Sequence, residues 1–334
     1  MLFSKKHIII VAAMVFFAFN AQSCSVTENF NNSDPMASPK SFKEFIKWRW
    51  TKDSPPQPEA IELSDQWRDL AAKASHYSVW IGHATYLINN GDLTIITDPI
   101  FSQRASPVGW AGPKRLIPPS IPLVELPQID VVVISHNHYD HLDIPSLVAL
   151  QEFNPDLTIL VPQGDKALLE RAGLRNVTEL RWWQNLRVSE TDFTFTPVQH
   201  WSARALSGRN NSWWGGWFMK HPTLALYHAG DTGYSKDFVE TRERLGVPDF
   251  AFIPIGAYSP RWFMKNQHVD PVEAVQIALD LQAPKSFGMH WGTFILTDEP
   301  ITEPREKLAE VLLEQQLADD FFIAPVPGEI IWLQ

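Results

Sequence analysis

Three features of the sequence predict an α/β fold. Short apolar runs rich in β-branched residues recur, as at 94–97, 131–134, 157–161 and 250–255, and read as buried strands. Segments with helical spacing fall between and after them, at 144–153, 166–172, 272–281 and 304–316. Several of the apolar runs end abruptly in a histidine or an aspartate, which gathers polar groups where strands stop. With 45% hydrophobic and 20% charged residues, a chain of 334 can bury a full core, as one large or two ordinary domains.

Taken in order, the first element is a targeting segment. Lys5, Lys6 and His7 precede an apolar stretch over 8–19, long enough for a signal-peptide core and short for a membrane span. Ala21-Gln22-Ser23-Cys24 follows, with small residues placed before the sole cysteine. It resembles a bacterial lipoprotein signal, which implies a lipid on Cys24 and export to the cell envelope, with Ser25 favouring the outer membrane. Cleavage after Ser23 that leaves a free thiol is the competing reading. One cysteine leaves stability to the core and to metals rather than to disulfides. The net charge of -10 argues against a nucleic-acid partner, because phosphate binding needs a basic surface.

Residues 25–40 are rich in Asn, Ser, Thr and Pro, a tether composition. Phe42, Phe45, Ile46, Trp48 and Trp50 are interspersed with Lys43, Lys47 and Arg49 and followed by Lys52, as a packing arm or an interfacial membrane contact. A proline-rich break at 53–58 is followed by a polar helix expected from Ser64 through Trp67 and Leu70 to Lys73. We divide the chain into a signal segment (1–23), a tether and arm (24–60) and one domain (61–334), whose regular structure begins near Tyr77. Residues 78–88 read as strand, turn and strand around His83, which is expected to orient a neighbour rather than to ligate. The loop at 105–119 sets Lys114 beside Arg115, either as plain loop chemistry or near an anion. No internal repeat is visible.

The densest chemistry lies in Ser135-His136-Asn137-His138-Tyr139-Asp140-His141-Leu142-Asp143, directly after the run at 131–134. Imidazole and carboxylate are the usual donors for zinc and other borderline divalent ions. His136, His138 and Asp140 alternate and can face one side of an extended loop, while His141 turns to a neighbouring position. Four donors from so short a loop crowd one tetrahedral centre, so the loop suits two ions better than one. Later strand ends deliver His200, Asp231 and His290. No Gly-x-Ser-x-Gly elbow and no P-loop occurs, so direct attack by water is expected, without a covalent intermediate.

The pattern His-x-His-x-Asp-His resembles the hallmark of the metallo-β-lactamase superfamily. The resemblance implies a four-layer αββα sandwich with a metal site between the edges of two sheets. It implies further that His136, His138 and His200 hold one divalent ion, that Asp140, His141 and His290 hold another, and that Asp231 bridges both. Zinc is the default expectation for both ions.

Other segments narrow the likeness. Gly112-Pro113-Lys114-Arg115, the loop from His136 to Asp143, Gln199-His200-Trp201 and Gly230-Asp231-Thr232-Gly233-Tyr234 closely resemble the N-acylphosphatidylethanolamine-hydrolysing phospholipase D family. So do Pro260-Arg261-Trp262-Phe263-Met264-Lys265, Gln267-His268-Val269-Asp270-Pro271 and His290-Trp291-Gly292-Thr293-Phe294. This resemblance implies a phosphodiesterase of phospholipase D type, in which a metal-bridged hydroxide releases phosphatidic acid and an N-acylethanolamine. Asp140, Asp231 and His268 are then the catalytic candidates. Lys114, Arg115, Trp201, Tyr258, Trp262 and His268 are the substrate-binding ones. A phospholipid and a membrane surface are the implied partners, and the tryptophans near Arg181, Arg187, Arg204 and Arg209 are compatible with them.

Competing readings remain open at this level. A metal-dependent lactonase or sugar-phosphate hydrolase would use the same donors with a polar pocket. A β-lactam hydrolase would share the export, though its downstream segments match poorly. A non-catalytic lipid-binding envelope protein would have no chemical reason to retain all seven donors.

Overall fold

The computed structural model describes residues 30–34, 41–51, 61–70, 74–204 and 208–334. The signal stretch, Cys24, the break at 53–58 and Lys73 lie outside the described residues.

An arm helix, α1 (Phe42–Thr51), precedes the domain. The first sheet is then laid down as β1 (Tyr77–Gly82), β2 (Thr85–Asn89), β3 (Thr94–Thr97), β4 (Val131–Val133), β5 (Thr158–Pro162) and β6 (Val177–Leu180). Helices α2 (Ile144–Phe153) and α3 (Lys166–Arg171) connect its last three strands. The second sheet holds β7 (Asn185–Val188), β8 (Thr191–Thr196), β9 (Gly216–His221), β10 (Leu224–His228), β11 (Phe250–Pro254), β12 (Lys285–Met289) and β13 (Phe322–Ile323), hydrogen-bonded in that order. Helices α4 (Asp237–Leu245), α5 (Arg261–Met264), α6 (Pro271–Leu281) and α7 (Glu303–Glu314) link its later strands. The final strand, β14 (Ile330–Trp332), crosses back to pair antiparallel with β1.

The two sheets repeat one pattern. In the first, β14, β1, β2 and β3 pair antiparallel and β3 through β6 parallel; in the second, β7 through β10 pair antiparallel and β10 through β13 parallel. The repeat is one of topology, with no matching repetition of residues.

Burial on both faces explains why central strands such as β4, β5 and β11 are so apolar. Trp80, Tyr86, Val131, Val133 and Leu160 point toward the second sheet and meet Phe195, Trp217 and Phe252 in one core. Val79, Ile81, Leu87, Val132, Ile134 and Ile159 point the other way, onto Leu147 and Leu150 of α2 and Leu169 of α3. Beyond the second sheet, Val275 and Ala278 of α6 and Leu308 and Leu312 of α7 close the fourth layer. The αββα sandwich expected from the resemblance is therefore the observed architecture. Helix α6 starts as its sequence predicts, with Asp270 Oδ1 accepting from Glu273 N at 3.0 Å and Pro271 opening the first turn.

The helix expected from Ser64 is corrected to a single 3-10 turn, Gln66–Asp69, after which Leu70 is extended. Tertiary contacts override the local preference. Ser64 N bonds Pro327 O at 2.8 Å and Trp67 N bonds Gly328 O at 3.2 Å, so the segment is held along the turn before β14. In the arm, Trp48 is buried against Phe263 and Met264, stacked on Phe263 at 5.1 Å, while Lys43, Ile46, Lys47 and Trp50 stay exposed.

Trp80 joins the sheets to the strand-tip turns: fully buried, it stacks on Trp291 at 5.1 Å and donates from Nε1 to His83 O at 2.8 Å. Trp80→Ala should lower the unfolding free energy by about 3–5 kcal/mol in urea titration. A loss below about 1 kcal/mol would mean that the sheets do not depend on this ring.

Candidate metal centre

The site forms where the parallel halves of the two sheets end. After β4, Ser135 leaves the sheet and is seized by Asp98 at the tip of β3: Ser135 N donates to Asp98 Oδ1 at 2.7 Å and Ser135 Oγ to Oδ2 at 2.6 Å. The loop then folds into a short turn, with His141 N and Leu142 N both donating to His138 O, which aims His141 back at Asp98. There His141 Nδ1 donates to Asp98 Oδ2 at 2.8 Å, leaving Nε2 directed inward. His200 follows β8; its Nδ1 donates to Gln267 O at 2.9 Å, again freeing Nε2. Asp231 follows β10 through Gly230, whose φ is +62° and where a Cβ would stand 2.5 Å from the Cβ of Ser135. His290 follows β12 with φ 63°, its backbone N bonded to His83 O at 2.9 Å.

These tips bring all seven donors expected from the sequence into one cluster. On one side His138 Nδ1 lies 2.8 Å from His136 Nε2 and 3.3 Å from His200 Nε2, and Asp231 Oδ2 is 3.8 Å from each of those two Nε2 atoms. On the other, His290 Nε2 lies 3.4 Å from Asp140 Oδ2 and 3.1 Å from Asp231 Oδ1, while His141 Nε2 is 3.5 Å from Asp140 and 3.2 Å from Asp231. Asp231 thus faces both groups. The Nε2 atoms of His141 and His290 and Oδ1 of Asp231 are buried and have no hydrogen-bond partner. Ligand atoms converge within 4.8 Å of one another in His136, His138, His200 and Asp231 and, beside them, in His83, Asp140, His141 and His290, and such groups fit divalent cations.

Three neighbours complete the cluster. His83 donates from Nε2 to Asp140 Oδ2 at 2.9 Å, which spends its ring on orienting a carboxylate. His268 sits beside His200 and His290, with Nδ1 unpartnered and 3.9 Å from Asp231 Oδ2. Asp98 is the group for which sequence reasoning assigned no role. Its place at a strand tip, like that of Asp231, was the signal that could have found it.

The substrate candidates are more scattered. Trp201 sets its ring against His138 at 4.4 Å, with the Arg209 guanidinium over it at 4.0 Å. Trp262 is on α5, half exposed beneath Lys47 at 4.7 Å. Lys114 is exposed on its loop. Arg115, in contrast, is buried: its guanidinium donates to the carbonyls of Ile100 and Ser102 and lies over Phe294, so it braces the loop. The Tyr258 hydroxyl donates to Glu303 Oε1 at 2.6 Å, toward α7.

Charge in the cluster divides the histidines into two kinds. Burial, with His290 nearby, pushes His83 down to about 3; burial brings His138 and His268 down to about 4 and holds His136 and His200 well below the ordinary value. These rings stay neutral. Burial opposes charge on His141 and His290 too, but Asp231 and Asp140 outweigh it, raising His290 to about 9 and His141 well above its usual range. Burial likewise opposes ionisation of Asp140 and Asp231, yet His141 and its neighbours hold both carboxyls well below the carboxylate range. Asp231 and Asp140 thus favour a proton on each of these two rings, and a bound cation would displace it. Because the folded His290 value lies above 6.5, its pairing stabilises the ion-free protein fully below pH 6.5 and is lost as pH rises through about 9. Zinc uptake at pH 7 should therefore release protons, read by calorimetry in buffers of different ionisation enthalpy. The ion-free protein should lose Tm above pH 9 while the zinc-loaded form holds; uptake without proton release would contradict this balance.

Comparison with known proteins places the chain. The profile of the "Beta-lactamase superfamily domain" matches residues 94–291. The chain is 39% identical over 274 residues to the N-acyl-phosphatidylethanolamine-hydrolyzing phospholipase D 1 of Caenorhabditis elegans, covering 78% of this chain and 77% of that one. It is 40% identical over 265 residues to the mitochondrial N-acyl-phosphatidylethanolamine-hydrolyzing phospholipase D of Saccharomyces cerevisiae, covering 77% of this chain and 55% of that longer protein. Among solved structures, a possible metal-dependent hydrolase from Veillonella parvula shares the fold, with a TM-score of 0.65 at 18% identity over 78% of this chain and 100% of that one. The chain is a metal-dependent hydrolase that belongs to the metallo-β-lactamase superfamily and, within it, to the N-acylphosphatidylethanolamine-hydrolysing phospholipase D family.

Proposed function

We propose that the protein hydrolyses the phosphodiester of N-acylated phosphatidylethanolamine, releasing phosphatidic acid and an N-acylethanolamine. The observation that carries this reading is the 39% identity to the Caenorhabditis elegans phospholipase D over most of both chains, joined to a complete donor cluster. His136, His138 and His200 would hold one ion, Asp140, His141 and His290 the other, with Asp231 shared; zinc suits such a set. When bound, two such ions acidify a shared water and offset the charge that builds on the phosphoryl oxygens.

The chain's own residues supply the rest. Asp98 and His83 fix His141 and Asp140, so the donors need no reorganisation during the reaction. His268, neutral because it is buried, has an unpartnered Nδ1 beside Asp231 and is placed to hydrogen-bond a phosphoryl oxygen or to carry the leaving-group proton. Trp201 walls the site beside His138, and the Arg209 cation stacked on it suits a phosphate. Water adds to phosphorus, the P–O bond to the ethanolamine oxygen breaks, and that oxygen leaves with a proton.

A lipid substrate is met at a surface, and α1 offers one. Lys43, Ile46, Lys47 and Trp50 lie on one face at helical spacing, all exposed, with Trp50 84% exposed. Basic and aromatic side chains in that arrangement suit the headgroup zone. We assign this face to the membrane, together with a lipid on Cys24 and residence in the cell envelope, at the outer membrane in preference to the inner.

Mixed micelles of an N-acylated phosphatidylethanolamine should yield phosphatidic acid and N-acylethanolamine, with loss on chelation; a two-metal protein that leaves this lipid intact would end the proposal and turn the search to other phosphodiesters and lactones. Asp231→Asn and His138→Ala should each lower turnover by about a thousandfold or more. Near-normal rates in metal-free buffer would sink the two-ion mechanism. Cys24→Ser should move the protein from the membrane to the soluble fraction. Continued membrane binding would place the anchor in an uncleaved signal or in α1.

A further inference from the structure

Residues 30–34 lie across the rim of the metal centre, and their contacts converge on the loop that carries His200. Asn32 Oδ1 accepts from the backbone N of His200 at 3.0 Å and from Nε1 of the buried Trp214 at 3.0 Å. Phe30 is tied to Asn210 twice, its N donating to Asn210 O and its O accepting from Asn210 Nδ2, each at 3.0 Å. The Phe30 ring stacks on Trp213 at 4.4 Å. At the far end, Ser33 donates to Asp237 at the start of α4. A segment 168 residues upstream of His200 thus fastens the connection between β8 and β9 from outside.

That fastening matters more for His200 than for the other donors. His136, His138, Asp140 and His141 share a loop locked by Asp98 and by its own turn, and the backbone of His290 is bonded to His83. The ring of His200 is held by Gln267 O, but its backbone N–H is held by the side chain of Asn32. Releasing that N–H would leave a buried donor unsatisfied and let the loop re-form around another partner, moving Nε2 with it.

We propose that Asn32 is a positioning residue of the metal centre, setting His200 for the ion shared with His136 and His138, and that the 30–34 strap belongs to the site. The proposal rests on the reading of this cluster as a metal centre. It is tested on the processed full-length protein by zinc titration against a chromophoric chelator that resolves both equivalents, with cobalt substitution to report coordination geometry. Asn32→Leu should weaken one equivalent about tenfold, keep the other within about twofold and shift the cobalt spectrum. Asn32→Asp, which keeps an oxygen acceptor, should restore most of the loss. Asn32→Ala makes the same comparison with a smaller truncation should the leucine variant fail to fold. Wild-type affinity for both equivalents in Asn32→Leu and Asn32→Ala overturns the proposal, as does equal weakening of both together with a fall in ion-free Tm. Wild-type protein that takes up no zinc would overturn the metal reading itself, and the strap proposal with it.

Discussion

The molecule is organised around buried negative charge. Asp98, Asp140 and Asp231 converge on His141, whose two ring nitrogens lie within 3.5 Å of all three. Carboxylates so placed in a poorly solvated pocket cannot stay ionised without compensation. His141 and His290, which Asp231 and Asp140 favour in the protonated form, offset those two carboxylates, and cations would do so more fully. The surrounding neutral imidazoles, the orienting bond from His83 and the strand tips that present them are meaningful only around that charge.

The doubled topology shows how two sheets create such a place. β3 and β10 are corresponding strands, and each is followed by an aspartate, Asp98 directly and Asp231 three residues on. The connection between β1 and β2 carries His83, and the corresponding one between β8 and β9 carries His200. The two halves then diverge in use. Asp98 turns to Ser135 and His141 and stiffens the ligand loop, whereas Asp231 faces both donor groups. One half mainly orients; the other bridges.

Much of this was legible because burial leaves a strong mark on sequence. β4 is buried on both faces and reads as Val131-Val132-Val133, and the donors stand immediately after it. Weakly apolar elements left no such mark: β7 alternates exposed and half-buried residues at a sheet edge, β9 opens on glycine, and α4 is largely charged. The expected helix at Ser64 failed because backbone bonds to Pro327 and Gly328 decide that segment. Arg115 shows the same limit at the site. Its motif resembles the family's, but only the fold reveals that the guanidinium donates to the carbonyls of Ile100 and Ser102. Asn32 was unreadable for the simplest reason, since its partner is 168 residues away.

Those long-range contacts give the N-terminal region a double task. It grips the His200 loop through residues 30–34 and packs on Phe263 of α5 through Trp48. Five residues lie between Cys24 and Phe30, a span of about 20 Å at full extension. The exposed face of α1 would meet the membrane surface, with Lys47 lying over Trp262 of α5. The segment that follows the proposed anchor is the one whose Asn32 bonds the backbone of a metal donor, His200.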